Sequence, residues 1–276
     1  ARYLAFDAAH PPPRASFKGI EVMAGPRGLA AEPDSLFENM GNGTFRDLSV
    51  AAGIRAVDPG YGLNVALLDF DGDGRNDIFV GNDSTPKRLY LNRSGAAGLR
   101  FEEAAMRMGI ATNIDGAAQA TMGIAVGDVN LDGRTDVYTT NFSSDVNTLF
   151  VNLDGRFFDD RTSQYGVGLP TRTLVGWATA MEDLDHDGDA DIVVFNGHVY
   201  PQATRQSMDS DYEQAPIVFK REGARFQVDA NPGAGLAAPH RDRTAVVGDL
   251  DGDGDLDMVV GELNGPLRLL RNDCAA

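Results

Sequence analysis

The sequence predicts an all-β protein, a β-propeller assembled from four-stranded blades. Three observations indicate this fold class. Aspartate-rich clusters begin at positions 69, 128, 183 and 249, so that successive clusters lie 59, 55 and 66 residues apart. Short segments rich in β-branched residues flank each cluster, and helical periodicity is scarce along the chain. A unit of four short strands that repeats at this interval is typical of a propeller blade.

The four clusters, which we call loops 1 to 4, share one pattern of aspartate and glycine. They read "DFDGDGRND" (69–77, loop 1), "DVNLDGRTD" (128–136, loop 2), "DLDHDGDAD" (183–191, loop 3) and "DLDGDGDLD" (249–257, loop 4). An apolar segment precedes each loop: "LNVALL", "MGIAVG", "WATAME" and "TAVVG". A strand-like run follows each: "IFVGN", "VYTTN", "IVVFN" and "MVVGE". Each loop is therefore expected to join the first two strands of a blade.

Two further strands are expected in each unit. The third strands are "LYLN", "LFVN", "VFKR" and "LLRN", and aromatic-led fourth strands begin near 101, 157 and 226. One blade cannot bury both of its faces alone, so neighbouring blades must stack.

We therefore predict one propeller domain or propeller fragment over 1–276, with about five blade equivalents. A partial blade covers 1–54, full blades cover 61–110, 120–168 and 174–236, and a second partial blade covers 243–272. The segment "RYLAFD" (2–7) is a candidate strand, which would close the ring by completing the C-terminal blade.

Composition narrows the classes of function. Hydrophobic residues make up 42% of the chain, which is typical of a globular protein. The formal charge of −17 disfavours nucleic acid as a partner and favours cations and basic surfaces. The chain contains no run of 18 apolar residues, so its sequence predicts no helix that spans a membrane. Cys274 is the only cysteine, so no internal disulfide is possible.

The loops are predicted to bind calcium. Carboxylates or an amide stand at positions 1, 3, 5 and 9, and a glycine at position 6 permits the sharp bend that turns several oxygens toward one point. Six to eight hard oxygen ligands suit Ca²⁺, which also removes the repulsion between the carboxylates. Position 7 is expected to contribute its backbone carbonyl. With four ions bound, the formal charge would move from −17 to −9. The predicted ligands are Asp69, Asp71, Asp73, Arg75, Asp77, Asp128, Asn130, Asp132, Arg134, Asp136, Asp183, Asp185, Asp187, Asp189, Asp191, Asp249, Asp251, Asp253, Asp255 and Asp257, with Arg75, Arg134, Asp189 and Asp255 acting through the backbone.

Two other interpretations of the loops are weaker. An EF-hand needs a bidentate Glu at position 12 and a helix on each side. Here position 12 is Val80, Thr139, Val194 or Val260, inside the following strand. A solvated acidic turn could explain one such cluster, but four clusters in register with four repeated strands favour metal binding.

These stretches resemble the FG-GAP/VCBS repeat family, which includes the calcium-loop blades of integrin α-subunit propellers. More closely they resemble the bacterial relatives of cartilage acidic protein, in which an ASPIC/UnbV segment follows the propeller. The resemblance covers nearly the whole chain and rests on "GPRGL" (25–29), "GNGTFRDLSVAAGI" (41–54), "TNFSSDVNTLFVN" (140–152), "NGHVYPQ" (196–202) and "GDLDGDGDLDMVVGELNGPLRLLRND" (248–273). It implies a seven-bladed propeller, secreted or periplasmic, with calcium holding its blades and a role in adhesion or assembly.

The chain departs from the family in three ways. It has about five blade equivalents instead of seven, and it ends where the ASPIC/UnbV segment would begin. Ala15 and Ala24 occupy places where relatives often carry a cysteine pair. These departures leave open the number of blades and the inference of export.

No sequence motif indicates catalysis. The chain contains no G-x-S-x-G, no Walker sequence and no nucleotide-binding fingerprint after a strand. The four histidines are too scattered to predict a zinc site. His186, at position 4 of loop 3, is expected to be solvated, and Trp177 is expected in the core. "NGHVYP" and "APHRDRT" (238–244) are interpreted as ordinary loops, although the first could bind a ligand and the second could line a central funnel.

We therefore predict a calcium-binding propeller that acts as a protein–protein or adhesion/assembly module without catalysis. Its partner, a protein or a glycan, would dock on the loop face, and the expected location is secreted, periplasmic or at the cell surface. One alternative is a carbohydrate-active enzyme or glycan-binding propeller. The other is a fragment of a larger propeller that another chain completes.

Overall fold

The computed structural model describes residues 1–274, which divide into two compact units. Unit 1 contains residues 1–15, 23–121 and 152–159. Unit 2 contains residues 16–22, 122–151 and the chain from 160 onward. Within the described residues no helix has the length and apolarity needed to cross a bilayer.

Two short hairpins precede the first aspartate loop. The first joins β1 (Ala15–Phe17) and β2 (Ile20–Val22) and belongs largely to unit 2. The second joins β3 (Phe37–Asn39) and β4 (Phe45–Asp47) in unit 1. The second hairpin is where the last two strands of a blade were predicted. The prediction of a strand over 2–7 is wrong: only Leu4 forms a bridge there, with Ala31, because the segment lacks a continuous partner.

Four antiparallel sheets follow, which we call sheets A to D. Sheet A contains β5 (Gly62–Leu68), β6 (Asp77–Asn82), β7 (Arg88–Asn92) and β8 (Phe101–Glu103). Sheet B contains β9 (Gly123–Gly127), β10 (Asp136–Thr140), β11 (Thr148–Asn152) and β12 (Phe158–Asp160). Sheet C contains β13 (Gly176–Glu182), β14 (Asp191–Asn196), β15 (Ile217–Glu222) and β16 (Arg225–Val228). Sheet D contains β17 (Asp242–Gly248), β18 (Asp257–Glu262) and β19 (Leu267–Leu270).

Each sheet is a meander, since its strands lie side by side in chain order. The predicted fold class is therefore confirmed: the chain is all-β, and its sheets are the blades of a β-propeller, with four strands in sheets A to C and three in the described part of sheet D. Among residues 1–274, helix is limited to α1 (Thr162–Tyr165), α2 (Arg205–Met208), α3 (Ala234–Ala237) and two 3₁₀ turns, Ile54–Ala56 and Leu169–Thr171. The exact blade boundaries stay a prediction.

The core of unit 2 lies between neighbouring sheets. Along β14, Ile192 and Val194 pack into one buried cluster with Phe219 and residues of sheet B. Val193 and Phe195 point the other way, into a cluster with residues of sheet D. Since successive side chains of a strand alternate between faces, a strand buried on both faces has to be continuously apolar. This explains the unbroken run "IVVF" directly after loop 3.

The first strands of sheets B, C and D also lie side by side within unit 2, with β13 in contact with both β9 and β17. The contact between sheets B and C is close enough for hydrogen bonds. Thr140 Oγ1 donates to the Trp177 carbonyl at 2.8 Å, and Gly176 N donates to the Asn141 carbonyl at 3.0 Å.

Candidate metal centre

Each aspartate loop joins the first strand of its sheet to the second, as predicted. Loop 1 connects β5 to β6, loop 2 connects β9 to β10, loop 3 connects β13 to β14, and loop 4 connects β17 to β18. The second strand begins at position 9 in every case: Asp77, Asp136, Asp191 and Asp257. Position 12 therefore lies within the strand, which excludes EF-hand geometry.

The aspartate at position 1 wraps each loop around its own carboxylate. In loop 1, Asp69 Oδ1 accepts from the backbone N–H of Gly72 at 2.8 Å, and its Oδ2 accepts from Gly74 at 2.7 Å. In loop 2, Asp128 Oδ2 accepts from Gly133 at 2.7 Å. Asp183 and Asp249 make the corresponding bonds in loops 3 and 4. These bonds hold the backbone of positions 4 to 6 against the position 1 carboxylate.

The predicted bend at position 6 is present in all four loops. Gly74, Gly133, Gly188 and Gly254 have φ between 80° and 98°, the left-handed region that glycine enters without steric cost. Position 4 is left-handed too, which the sequence analysis missed. Glycine occupies it in loops 1 and 4, but Leu131 and His186 adopt φ of 58° and 59° in loops 2 and 3. The glycines at 72 and 252 were the signal that this second bend exists.

The aspartate at position 9 is buried and links the loop to the third strand. Asp77 Oδ2 accepts from Phe70 N at 2.9 Å, and its Oδ1 accepts from Asn92 N at 2.7 Å. Burial raises the pKa of Asp77, and the two N–H donors oppose this rise. Burial, together with the nearby Asp185 and Asp187 carboxylates, raises the pKa of Asp191 to about 6, although the Arg221 N–H and the Lys220 charge oppose the rise. A buried carboxylate beside other carboxylates is stabilised when a cation lies among them.

Three loops bring carboxylate oxygens to within 4.8 Å of one another. The groups are Asp69, Asp71 and Asp77 in loop 1; Asp183, Asp185 and Asp187 in loop 3; and Asp249, Asp251 and Asp253 in loop 4. Three oxygens at these sites are buried and have no hydrogen-bond partner: Asp71 Oδ1, Asp185 Oδ1 and Asp191 Oδ2. Asp191 as a whole is 1% exposed. These groups could hold a metal ion.

The other predicted ligands follow the same frame. At position 5, the Oδ1 atoms of Asp73, Asp132, Asp187 and Asp253 accept the backbone N–H of position 7 at 2.9–3.1 Å. At position 7, the side chains of Arg75 and Arg134 bond back to position 5. Loop 2 has an amide at position 3, where Asn130 Oδ1 accepts from Asp132 N at 3.2 Å, as Asp251 Oδ1 accepts from Asp253 N at 3.3 Å in loop 4. Whether these atoms are calcium ligands stays a prediction.

His186 is solvent-exposed, as expected, with 44% of its side chain accessible. The structure adds a contact that was not expected: its Nε2 lies 2.8 Å from Asp255 Oδ1, at position 7 of loop 4, so that the ring also bridges two neighbouring loops of unit 2. The backbone of His186 is left-handed, with φ of 59°. Sequence reasoning could not foresee this contact, because it depends on the packing of sheet C against sheet D.

Basic side chains of the third strands were also missed. Arg93 Nη1 lies 2.8 Å from Asp71 Oδ2 and 2.9 Å from Asp73 Oδ2 in loop 1. Lys220 Nζ donates to Asp185 Oδ2 at 2.7 Å in loop 3, and Arg271 Nη1 lies 3.8 Å from Asp251 Oδ2 in loop 4. A basic residue within the third strand, as at Lys220, or directly after it, as at Arg93 and Arg271, was the available signal.

A second buried polar cluster lies in unit 2, in the loop after β14. The His198 ring is fully buried against Phe142, Tyr200 and Phe17 of the β1–β2 hairpin, with ring centroids 5.2–6.2 Å apart. Its Nδ1 accepts from Tyr200 N at 3.1 Å, while its Nε2 is buried without a partner. "NGHVYP" is therefore an ordered, packed loop.

Trp177 and "APHRDRT" are held in place beside it. Arg243 lies 4.5 Å from the centre of the half-buried Trp177 ring and donates to the Gly197 and His198 carbonyls. Arg241 donates to Glu262 through two nitrogens, at 3.0 and 2.8 Å. These contacts give the two arginines a structural role.

We predict that His198 makes the fold sensitive to acid. Burial, together with the nearby positive charges of Arg243 and Lys18, lowers the pKa of His198 to about 4. In the unfolded chain the pKa of His198 is near 6.5. Between pH 6.5 and 4, His198 is therefore protonated in the unfolded chain but largely neutral in the folded one. Stability contributed by neutral His198 is present above pH 6.5 and falls by at most about 3 kcal/mol as the pH drops to 4.

The measurement is the free energy of unfolding against pH. In His198→Asn, whose amide oxygen can replace Nδ1 as an acceptor, the curve should be flatter than in the parent between pH 6.5 and 4. Equal slopes would contradict the prediction.

With this geometry described, comparison with known proteins decides the family. The FG-GAP-like repeat matches residues 22–80, 69–139 and 128–194, which span loops 1 to 3 and most of the chain. This chain belongs to the FG-GAP-like repeat family. Its relatives include cartilage acidic protein 1 from Homo sapiens, 27% identical over 236 residues, which cover 84% of this chain and 32% of that protein.

Two further relatives carry the same name. Cartilage acidic protein 1 from Xenopus tropicalis is 29% identical over 243 residues, covering 86% of this chain and 34% of its own length. The protein from Mus musculus is 31% identical over 175 residues, which cover 62% of this chain and 26% of that protein. This FG-GAP repeat protein thus spans about a third of the length of the curated relatives it matches. The resemblance read from the sequence is confirmed at the level of the family.

Proposed function

We propose that this FG-GAP repeat protein is a calcium-binding β-propeller that acts outside the cytoplasm as a non-catalytic protein–protein or adhesion module. The observation that carries the proposal is the repeated loop geometry. Four loops of one pattern occupy one position in four sheets, and in three of them carboxylate oxygens converge within 4.8 Å.

The donor set favours calcium. Every predicted side-chain ligand is a carboxylate or amide oxygen, which suits hard cations and disfavours copper or zinc. The buried, unpartnered oxygens of Asp71, Asp185 and Asp191 are atoms that a cation would satisfy. Flexible coordination by six to eight oxygens suits Ca²⁺ better than Mg²⁺, which demands an octahedron and retains water.

The ion would stabilise the fold and would take no part in catalysis. A divalent cation supplies positive charge at the centre of each loop, where carboxylates otherwise repel each other. Asp77 and Asp257 already tie their loops to the third strands through backbone N–H groups. An ion held by the same carboxylates would fix the first, second and third strands of a blade together.

A binding role follows from rigidity and position. Loops held on a rigid scaffold commonly carry recognition, so a protein or glycan partner would dock on the loops that join neighbouring strands. The matched relatives are named cartilage acidic protein 1, and this chain is acidic as well, with a formal charge of −17. The likeness to these relatives supports a secreted, periplasmic or cell-surface location.

A carbohydrate-active enzyme is the weaker alternative. A groove of about 210 Å³ runs along the first strands of unit 2, between β9, β13 and β17, and contains Glu182. Burial raises the pKa of Glu182, as a general acid requires. Most glycosidases need a second carboxyl about 5–10 Å away, and the residues described along this groove include no other acid. Turnover of a glycan panel, abolished in Glu182→Gln, would favour the enzyme.

The second alternative is completion of the propeller by another chain. In the described part of sheet D, β19 is an edge strand, and its Leu267 and Leu269 are 75% and 66% exposed. An apolar edge strand invites pairing. Analytical ultracentrifugation that shows a stable oligomer would support this alternative, and a monomer at micromolar concentration would oppose it.

Calcium stoichiometry tests the proposed function directly. We expect calorimetric titration of chelator-treated protein with CaCl₂ to give four bound ions. Asp69→Ala removes the position 1 carboxylate of loop 1 and should reduce the number to three, because the loop also loses three backbone hydrogen bonds. Asp58→Ala, an exposed aspartate outside the loops, should leave four. Heat signals indistinguishable from dilution would refute the proposal.

A further inference from the structure

The four loops differ in the charge that surrounds their common donor set. Position 3 is an aspartate in loops 1, 3 and 4, and each of these loops has a basic side chain from the third strand beside it. Those basic residues are Arg93, Lys220 and Arg271. In loop 2, position 3 is the neutral Asn130.

Strand register identifies the residues of sheet B that correspond to these basic side chains. Ile78, directly after loop 1, pairs with Tyr90, and Val137, directly after loop 2, pairs with Phe150. Arg93 lies three residues after Tyr90, and the residue three after Phe150 is Leu153. In sheet C, Ile192 pairs with Phe219 and Lys220 follows directly, so the corresponding residue of sheet B is Val151, directly after Phe150. Loop 2, which has an amide at position 3 instead of a carboxylate, therefore has the apolar residues Val151 and Leu153 where the other sheets have a basic side chain.

The contact geometry is also shared. Arg93 and Lys220 bind the Oδ2 atoms of Asp71 and Asp185, and in both aspartates Oδ1 is buried without a partner. The basic residue thus neutralises position 3 from one side and leaves an oxygen on the other. Together with the unpartnered Oδ2 of Asp191, which is 1% exposed, these oxygens are independent signs of a cation at the loops.

Position 7 adds a second difference. It is arginine in loops 1 and 2 and aspartate in loops 3 and 4: Arg75, Arg134, Asp189 and Asp255. Counting the nine loop residues and the basic neighbour, loop 1 has four carboxylates against two arginines, and loop 2 has three against one, so both have a net charge of −2. Loops 3 and 4 each have five carboxylates against one basic residue, a net charge of −4.

We infer that the loops form two classes of divalent-cation site, in which loops 1 and 2 bind weakly and loops 3 and 4 bind tightly. The inference rests on the proposed calcium function and adds how affinity is distributed among the sites. Ligand charge tunes the affinity of oxygen sites for calcium. One ion neutralises loops 1 and 2, whereas loops 3 and 4 keep two negative charges after binding.

The size of the effect follows from Coulomb's law. One unit charge about 6 Å from a divalent ion, in surroundings close to water, changes affinity by about tenfold. A difference of two charges therefore separates the classes by about a hundredfold. The weak pair would respond to changes in calcium concentration while the tight pair stays occupied.

The test is calorimetric titration of chelator-treated protein with CaCl₂ in 0.1 M KCl. We expect two tight and two weak sites, with dissociation constants about a hundredfold apart. Arg93→Leu, which gives loop 1 an apolar residue as loop 2 has, should tighten one weak site about tenfold. Asp255→Arg removes the charge excess of loop 4 without removing its backbone carbonyl, and it should turn one tight site into a weak one.

Three controls separate charge from other causes. Arg93→Gln keeps an N–H donor for Asp71 but loses the positive charge, so it should also tighten calcium binding at loop 1. If Arg93 only oriented Asp71, this substitution would leave the affinity of loop 1 unchanged. Arg46→Leu changes the net charge equally but lies in β4, away from the loops, and should have no effect. Circular dichroism of each variant confirms that it is folded.

Four equal sites, or weaker binding in Arg93→Leu, would overturn the two classes and leave the proposed function standing. Absence of any calcium binding would instead remove the proposed function.

Discussion

Removal of calcium is expected to lower the melting temperature of this protein by about 10 °C or more. A ligand that binds only the folded state stabilises it by RT ln(1 + [L]/Kd), which is about 1.4 kcal/mol for one site at ten times its Kd. Four such sites add about 6 kcal/mol, and each kcal/mol shifts the midpoint of a chain of this size by about 2–4 °C. The buried Asp77, Asp136, Asp191 and Asp257 are the groups that would lose most when the ion leaves.

The measurement is a thermal scan in 1 mM CaCl₂ and in EGTA, with KCl added to equalise ionic strength. Equal ionic strength is the necessary control, because an acidic protein gains some stability from screening alone. Adding excess CaCl₂ to the EGTA sample should restore the midpoint. Identical midpoints in the two buffers would contradict both the stabilising role of the ion and the proposed function.

Gly123→Ala is expected to destabilise the fold by about 3 kcal/mol or more, independently of any ion. Gly123 begins β9, and a Cβ there would lie 1.9 Å from the Trp177 carbonyl oxygen and 2.8 Å from Thr140 Oγ1. Those two atoms form the hydrogen bond between sheets B and C. The methyl group could be accommodated only if the first strands of the two sheets moved apart, and overpacking of this kind commonly costs 1–3 kcal/mol and sometimes more.

Two glycines of first strands provide matched controls. Gly248, at the end of β17, has no atom within 4 Å of its Cβ position, so Gly248→Ala should be neutral or slightly stabilising. Gly127, at the end of β9, would meet the flexible Met181 side chain at 2.7 Å and should give an intermediate loss. Urea unfolding of the three variants checks this order. A midpoint for Gly123→Ala equal to that of Gly248→Ala would show that the sheets are not packed this closely.

Much of the architecture is readable from the sequence because it depends on local chemistry. A continuous apolar run such as "IVVF" has to be a strand buried on both faces, and β14 is one. An aspartate at position 1 and a glycine at position 6 define a tight loop through bonds made within five residues, as in the contact of Gly74 N with Asp69. Repetition of the pattern supplied the fold class, since one copy alone would have been ambiguous.

Other features could not be read because their partners are distant in the chain. Residues 2–7, "RYLAFD", were a candidate strand, yet they form only one bridge. The β1–β2 hairpin was not predicted from the sequence. In the structure, Lys18 and Gly19 at its turn both have positive φ. Its Phe17 packs on His198, about 180 residues further along the chain.

The sequence by itself determined the family, the β class and the four acidic loops, because those follow from spacing and from the chemistry of aspartate and glycine over a few residues. The tertiary structure alone decided which basic side chain meets which loop, that His186 reaches Asp255, and that Gly123 lies against Trp177. The physical reason is that these contacts arise from strand register and from the packing of one sheet on the next, and both are set by the whole buried core.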